Sequence, residues 1–493
     1  MKPTFLLALD QSTSGTKALL IDQQGKIIHK QSREHKQYYP QIGWVEQDPM
    51  EIYNNVKSLL KEVMANTGTT STDIAFISIT NQRETALIWD AKTGEPIHRS
   101  IVWQCRRTTS ICEEMKIAGH EPGITAKTGL LLDPYFSATK WQWLLKHCQS
   151  QVPHKNLMAG TIDSWLIWKL TGGAVHASDY TNASRTLLFN IHTLEWDPEL
   201  IHLFGLEDLA LPEIKPSDAF FGYLTDETII GNGSHIPIYG VMGDSQAALF
   251  AQRCTEPGMA KATYGTGSSV LMNVGAKPIA ATDGLVLALA WKLQTQTQFA
   301  LEGIIHTSGD CLKWAKENMN LFDSYEELES LASSVLDSDG VYVVPAFVGL
   351  GAPYWKPNAK AAFIGMNRST TRAHVLRACI DSIAYQICDV VDLMTKETAI
   401  QLHELRADGG ASKNKQLMQI QSDYLGKSVI TTKTAELSAL GAAYAGGLGI
   451  EFWTVEDLDR IYQIEEQYTP LLSDIQRSNN YQGWKKAISS VIK

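Results

Sequence analysis

The first 31 residues alternate between apolar runs and polar punctuation. Residues 4–10 and 16–22 are apolar enough for buried strands, and residues 26–31 read as a third strand after the turn "DQQG". A helix follows in "DPMEIYNNVKSLLKEVM". Asp48 can cap it, Pro49 suits its first turn, and Ile52, Val56, Leu59, Leu60 and Val63 share one face. "DIAFISIT" is again a strand. A hairpin sheet, a helix and a further strand make an α/β half-domain.

The pattern recurs later in the chain. "GMAKATYGTGSSVLMNVG", residues 258–275, is strand, glycine- and hydroxyl-rich turn, strand, with more strands near 284–293 and 297–303. Helices are predicted at 309–319, 325–335 and 372–395, the last with Val375, Leu376, Cys379, Ile383, Ile387, Val390 and Met394 on one stripe. "HELRADGG" predicts a strand into a glycine turn, and "SKNKQLMQIQSDYLG" a helix out of it. The chain has 493 residues, more than one core usually supports. We therefore expect two duplicated α/β domains, residues 1–250 and 251–493, joined by a direct hinge.

Composition narrows the class. A formal net charge of −10 without a Lys/Arg block excludes a nucleic-acid-binding surface. Seven cysteines, odd in number and without a CxxC pair, read as reduced thiols and predict a cytoplasmic protein. The longest apolar stretch, "GVYVVPAFVGLGAPYW", is too short to span a bilayer, so no membrane insertion is expected.

The polar interruptions carry the candidate chemistry. Asp10 to Thr16, "DQSTSGT", separates two good strands with small, hydroxyl-rich residues. Such residues let backbone approach a phosphate, Lys17 adds a positive charge, and Asp10 could hold magnesium through water. A polar hairpin with an exposed Asp is the alternative. "YGTGSS", Tyr264 to Ser269, is a second such cradle or an ordinary turn, and no Walker A loop occurs. "ADGGASKN" offers amides and flat glycine backbone before a helix, or simply an N-cap at Ser412. "SGDCLKW" looks similar. "IPIYGVMGDSQAALFAQ" ends an apolar strand in Asp244, a carboxylate able to take a hydroxyl proton, or a helix cap. "NQRE" sets Arg83 beside Glu84, which suits the neighbouring hydroxyls of a polyol, or a surface turn. Trp103 and Tyr135 can pack on the C–H side of a carbon chain while an indole or phenol donates to oxygen.

Taken in order, "ALDQST", "ITNQRET", "IVWQCRRT", "TGLLLDPYFSATK", "SDYTNASRTLLFNIHTL", "VYVVPAFVGLGAPYW", "ADGGASKN" and "GWKKAI" resemble the FGGY carbohydrate kinases. Within them the likeness is to the members that act on glycerol, and it covers nearly the whole chain. The resemblance implies an actin-like, ribonuclease-H-type α/β domain duplicated around a cleft. It implies ATP mostly on the second domain and a small polyol mostly on the first. By position it gives the nucleotide Thr13, Ser14, Lys17, Gly265, Thr266, Gly309, Lys313, Gly410, Ala411 and Asn414. It gives the polyol Arg83, Glu84, Trp103, Tyr135, Asp244 and Ser245, with Asp244 as base. Asp10, with Asp244, would serve Mg2+. Relatives form dimers and tetramers, which implies a homo-oligomer.

Departures from the family pattern shape the substrate expectation. Ser245 stands where glycerol-specific members have Gln, Ser269 where they have Phe, and Lys313 where Gln is usual. A wider, more polar pocket could admit a four-carbon polyol or keto-polyol in place of glycerol. A non-transferring ATPase of the actin or chaperone type is the reading from another class. Arg83, Glu84 and Asp244 argue against it, since a conformational switch needs none of them.

Overall fold

The computed structural model describes residues 3–148, 152–231, 233–280 and 284–492. The first lobe opens with β1 (Phe5–Gln11), β2 (Gly15–Asp22) and β3 (Ile27–Glu34), followed by α1 (Pro49–Thr67) and β4 (Ile74–Asn81). The Asp48 carboxylate accepts from the Met50 and Glu51 amides and starts α1. The predicted apolar stripe of α1 is fully buried against β1, β2 and β4. A long insertion then supplies α2 (Ala138–His147) and a small antiparallel sheet before β5 (Phe220–Leu224) and β6 (Ile236–Gly243) complete the main sheet. Its order is β3-β2-β1-β4-β6-β5, with β1, β4 and β6 parallel.

The second lobe repeats this plan. After α3 (Asp244–Ala251) come β7 (Met259–Tyr264), β8 (Ser268–Gly275), β9 (Val286–Lys292) and β10 (Thr297–Ile305). Helices α4 (Gly309–Glu317), α5 (Tyr325–Ser333) and α6 (Arg372–Thr398) cover one face. β11 (Glu404–Asp408), α7 (Lys415–Leu425), β12 (Ser428–Thr432), α8 (Leu437–Gly449) and β13 (Ile464–Tyr468) complete it. The order is β9-β10-β8-β7-β11-β12-β13. A hairpin followed by two parallel neighbours, β7-β11-β12, matches β1-β4-β6, so the α/β duplication expected from the sequence is present.

Helices α3 and α8 lie between the two sheets. Their small residues, Ala247 to Ala251 and Ala439 to Ala445, share one core with Leu6 and Ala8 of β1 and with Leu271 and Trp291 of the second sheet. A Cβ at Gly441 would collide with the Ala247 carbonyl, so the helices cross backbone to backbone.

Three local expectations need correction. β1 runs to Gln11 and β2 begins at Gly15, with Asp10 opposite Lys17 in the ladder, so the interruption spans Ser12 to Ser14. Polar side chains do not prevent a backbone ladder from continuing to the tip. The second turn likewise shrinks to Gly265, Thr266 and Gly267. Ser412 is not the helix cap: residues Gly410–Lys413 form one 3₁₀ turn, and the Asn414 side-chain Oδ1 accepts from the Leu417 amide to start α7.

Candidate active site

The carboxyl ends of β1, β4 and β6 converge on one side of the first sheet, and four site residues come with them. Asp10 is at the end of β1, Arg83 and Glu84 follow β4, and Asp244 follows β6. Arg83 Nε lies 3.2 Å from Asp244 Oδ1, which also accepts from the Ser245 amide at 2.7 Å. The Asp244 side chain keeps 37% of its exposure, whereas Arg83 keeps 5%. Glu84 is buried with φ at 60°, a left-handed backbone that a non-glycine residue holds only under constraint.

Behind these residues sits a buried four-ion cluster that sequence reasoning missed. Arg83 Nη2 is 2.9 Å from Glu302 Oε1, Arg185 Nε is 2.6 Å from Glu84 Oε1, and Arg185 Nη2 is 2.8 Å from Glu302 Oε2. Arg83, Glu84 and Arg185 belong to the first lobe, while Glu302 lies on β10 of the second. Burial acts to raise the Glu302 carboxyl, but Arg185 and Arg83 override it and hold it down at about 2. Burial pushes Glu84 up, with both arginines opposing. Gln246, not Ser245, reaches Arg83: its Oε1 accepts from Arg83 Nη1 at 3.1 Å. The Ser269 hydroxyl donates to Glu302 Oε1 at 3.1 Å, so the position expected to open the pocket is tied to the cluster. Gln246 Nε2 and Arg185 Nη1 are buried donors without a hydrogen-bond partner.

Trp103 and Tyr135 form the aromatic wall, with ring centroids 5.4 Å apart. The Trp103 indole N–H does not point to a ligand position. It donates to Thr13 Oγ1 at 2.9 Å, joining this wall to the tip of the first hairpin. The Thr13 carbonyl in turn accepts from Gln47 Nε2 at 2.6 Å, and His35 Nε2 lies 3.0 Å from it. Burial pushes the Tyr135 phenol far above its ordinary range, so it stays protonated.

Lys17 Nζ lies 2.7 Å from Glu436 and 3.5 Å from Asp10. Glu436 precedes α8 and also pairs with Lys30 at 2.8 Å. Burial lifts Asp10 to about 6, Lys17 opposes this, and the charges of Asp244 and Glu436 add to it. Among the described residues no group of three or more His, Cys, Asp or Glu side chains is placed to hold a metal. Asp10, whose carboxyl the neighbouring Asp244 charge helps to raise, does suit Mg2+ that takes its remaining ligands from phosphate oxygens and water.

On the second lobe the nucleotide candidates gather around the other hairpin. The Gly309 amide donates to Gly265 O at 2.9 Å, and Asp310 N to Thr266 O at 3.1 Å, so the turn caps the start of α4. Gly409, with φ at 92°, packs where a Cβ would sit 2.5 Å from Tyr264 O. Gly265, Thr266, Gly309 and Gly410 are thereby brought into one neighbourhood. Gly410, Ser412 and Thr431 to Ala435 line a cavity of about 670 Å³ beside it. Ser14 is exposed at the tip of the first hairpin, and Ala411 is half-buried beside Gly410. Asn414 is occupied as the α7 cap through its side-chain oxygen. Lys313 sits 60% exposed on α4, 3.9 Å from Glu317.

Removing the buried Asp10 charge is expected to stabilise the ligand-free protein. The folded-state value of about 6 lies above the ordinary 3.8, so the charged form weakens the fold above pH 6. That penalty fades as pH falls from about 6 to about 4 and amounts to about 3 kcal/mol. Asp10→Asn in EDTA should therefore melt higher than the unsubstituted protein at pH 8 and equally at pH 4. A variant that melts lower at pH 8 would mean that Asp10 contributes stability through Lys17.

Two duplicated lobes that turn glycine- and hydroxyl-rich hairpins toward a carboxylate-bearing cleft define an actin-like nucleotide-dependent phosphotransferase or ATPase. The N-terminal domain of the FGGY family of carbohydrate kinases matches residues 5–251, and the C-terminal domain matches residues 260–450. The chain belongs to the FGGY family of carbohydrate kinases. It is 45% identical over 493 residues to a glycerol kinase of Thermoanaerobacter sp. (strain X514), covering 99% of each chain. It is 47% identical over 492 residues to that of Symbiobacterium thermophilum, covering 99% of this chain and 98% of the relative. Among solved structures, a Plasmodium falciparum glycerol kinase with ADP is similar at a TM-score of 0.95 and 36% identity, covering 99% and 98% of the two chains. A gluconate kinase from Lactobacillus acidophilus, at a TM-score of 0.88 and 21% identity, shares the fold.

Proposed function

We propose that this protein transfers the γ-phosphoryl group of ATP to a terminal hydroxyl of glycerol, giving sn-glycerol 3-phosphate and ADP. The observation that carries the mechanism is Asp244, half-buried at the end of β6 with one oxygen held by Arg83 at 3.2 Å. Its other oxygen is left to take the hydroxyl proton as the polyol oxygen bonds to phosphorus and the bridging bond to ADP breaks. Arg83 and Glu84 present donors and acceptors to the other hydroxyls. Trp103 and Tyr135 cover the carbon chain, and the unpartnered donors Gln246 Nε2 and Arg185 Nη1 are additional polar groups at this site.

Thr13, Ser14 and Lys17 from the first hairpin, and Gly265 and Thr266 from the second, would take the phosphates. Gly309, Gly410 and Ala411 would support the nucleoside. Asn414 would offer its side-chain N–H₂ to the nucleotide, and Lys313, exposed on α4, would approach it from the solvent side. Mg2+ bound by Asp10 and Asp244 would neutralise phosphate charge. Lobe closure around both substrates excludes water and limits ATP hydrolysis. Cysteines that are all free among the described residues support a reducing, cytoplasmic setting.

Glycerol is favoured over a four-carbon acceptor because full-length relatives at 45–47% identity are glycerol kinases. Ser269 also spends its hydroxyl on Glu302, so the change from a large side chain does not leave a free polar group in the pocket. The test is ADP release with Mg-ATP and glycerol, erythritol, threitol, erythrulose, dihydroxyacetone, xylitol or no acceptor. Glycerol should give the highest kcat/KM, and the reaction without acceptor should be negligible. A larger acceptor winning would overturn the substrate, and equal turnover without any acceptor would overturn the transfer.

A further inference from the structure

Lys140 is an unexpected residue to find on α2. It is fully buried, and a buried ammonium is costly unless every proton finds a partner. Here all three do. Nζ donates to the carbonyl oxygens of Pro134 at 2.8 Å, Tyr135 at 2.5 Å and Phe136 at 2.9 Å. Three consecutive carbonyls therefore turn inward around one cation, a conformation that no repeating element of the chain imposes on them.

We propose that Lys140 is a positioning residue for the acceptor site, its ammonium fixing the loop 133–137 so that Tyr135 stands in place before substrate arrives. This rests on the reading that Tyr135 lines the polyol pocket. The loop reaches the site at both ends. Tyr135 packs on Trp103, and the Ser137 hydroxyl donates to the Glu84 carbonyl at 3.1 Å. The Asp133 carboxylate accepts from the Tyr135 amide at 2.8 Å and pairs with Arg106 at 2.9 Å, tying down the start of the loop. An apolar residue at position 140 would fill the same space without the desolvation cost, which lowers the amine to about 8. What the ammonium adds is order in three backbone units. Preorganised contact surfaces of this kind improve binding by removing the cost of ordering them at each encounter.

Lys140→Met keeps most of the unbranched length and removes the charge and its three donors. With intact protein and Mg-ATP, the KM for glycerol should rise at least about 10-fold. The KM for ATP and kcat at saturating glycerol should change less than about 3-fold, because Lys140 itself bonds only to the carbonyls of residues 134–136 and meets the first hairpin solely through the Tyr135–Trp103 contact. A folded variant with unchanged glycerol KM overturns the proposal. So does a uniform loss in kcat and in both KM values together with a lower melting point, which would mark a purely structural role. Tyr135→Ala, run alongside, separates the two layers: if it leaves glycerol KM unchanged, the pocket reading fails first. Should Lys140→Met not fold, hydrogen exchange of the unsubstituted protein decides. Slow exchange at residues 133–137 without glycerol supports preorganisation, and protection that appears only with glycerol overturns it.

Discussion

Asp244→Asn is expected to lower kcat for glycerol by about 10²- to 10⁴-fold, the range that a positioned general base supplies. The substitution changes little else. Asn keeps the side-chain oxygen that faces Arg83 and the Ser245 amide, so the turn from β6 into α3 keeps its bonds. The glycerol KM should therefore stay within about 10-fold, since binding through Arg83, Glu84 and the aromatic wall survives. Steady-state ADP release, with bound glycerol measured separately by calorimetry, distinguishes lost chemistry from lost binding. A variant retaining more than a tenth of kcat would mean that the proton leaves by another route, and Asp244 would become an orienting group only.

Glu302→Ala is expected to be the most damaging single change to the fold of the site. It removes the one second-lobe carboxylate that compensates two arginines, both at most 5% exposed. Breaking a buried ion cluster by deleting one partner typically costs about 3–5 kcal/mol, because the remaining charges stay buried. Arg83 would also lose its anchor, so the orientation of its Nε toward Asp244 would go with it. Glu302→Gln should be milder, since it still accepts from Arg83 and from Ser269. Chemical denaturation and the glycerol KM would be measured on both variants. A loss below about 1 kcal/mol in the alanine variant would show that water enters and solvates the arginines.

The parts of the protein legible in its sequence are those fixed by local rules. The two hairpins, the cap at Asp48, the stripe on α1 and the carboxylates ending β1 and β6 all follow from periodicity, turn chemistry and strand-end position. What could not be read is partner choice across the chain. Arg83 and Glu302 are separated by 219 residues and Lys17 and Glu436 by 419, so no window contains both members. A signal was nevertheless available. Glu302 lies inside the apolar strand "FALEGII" and Arg185 before "TLLF", and charges in such settings are seldom left unpaired. Asn414, expected at the nucleotide, also spends its side-chain oxygen on a helix amide, a capping role that the motif did not show. The insertion that carries Trp103, Tyr135 and Lys140 builds a core of its own, with Leu130, Leu132, Phe136, Trp141 and Leu144, from segments too short for a clear period.

The bond from the Trp103 indole to Thr13 links groups assigned to different ligands. Thr13 cannot shift to follow a phosphate without disturbing the indole, and the indole cannot tilt over a carbon chain without disturbing Thr13. If both assignments hold, occupancy of one side would change the free energy of filling the other. Such a coupling is reciprocal by thermodynamic necessity: the factor by which nucleotide alters polyol affinity equals the factor by which polyol alters nucleotide affinity. On the proposed assignments, this single hydrogen bond of 2.9 Å would give the two ligands a route by which filling one side alters the affinity of the other.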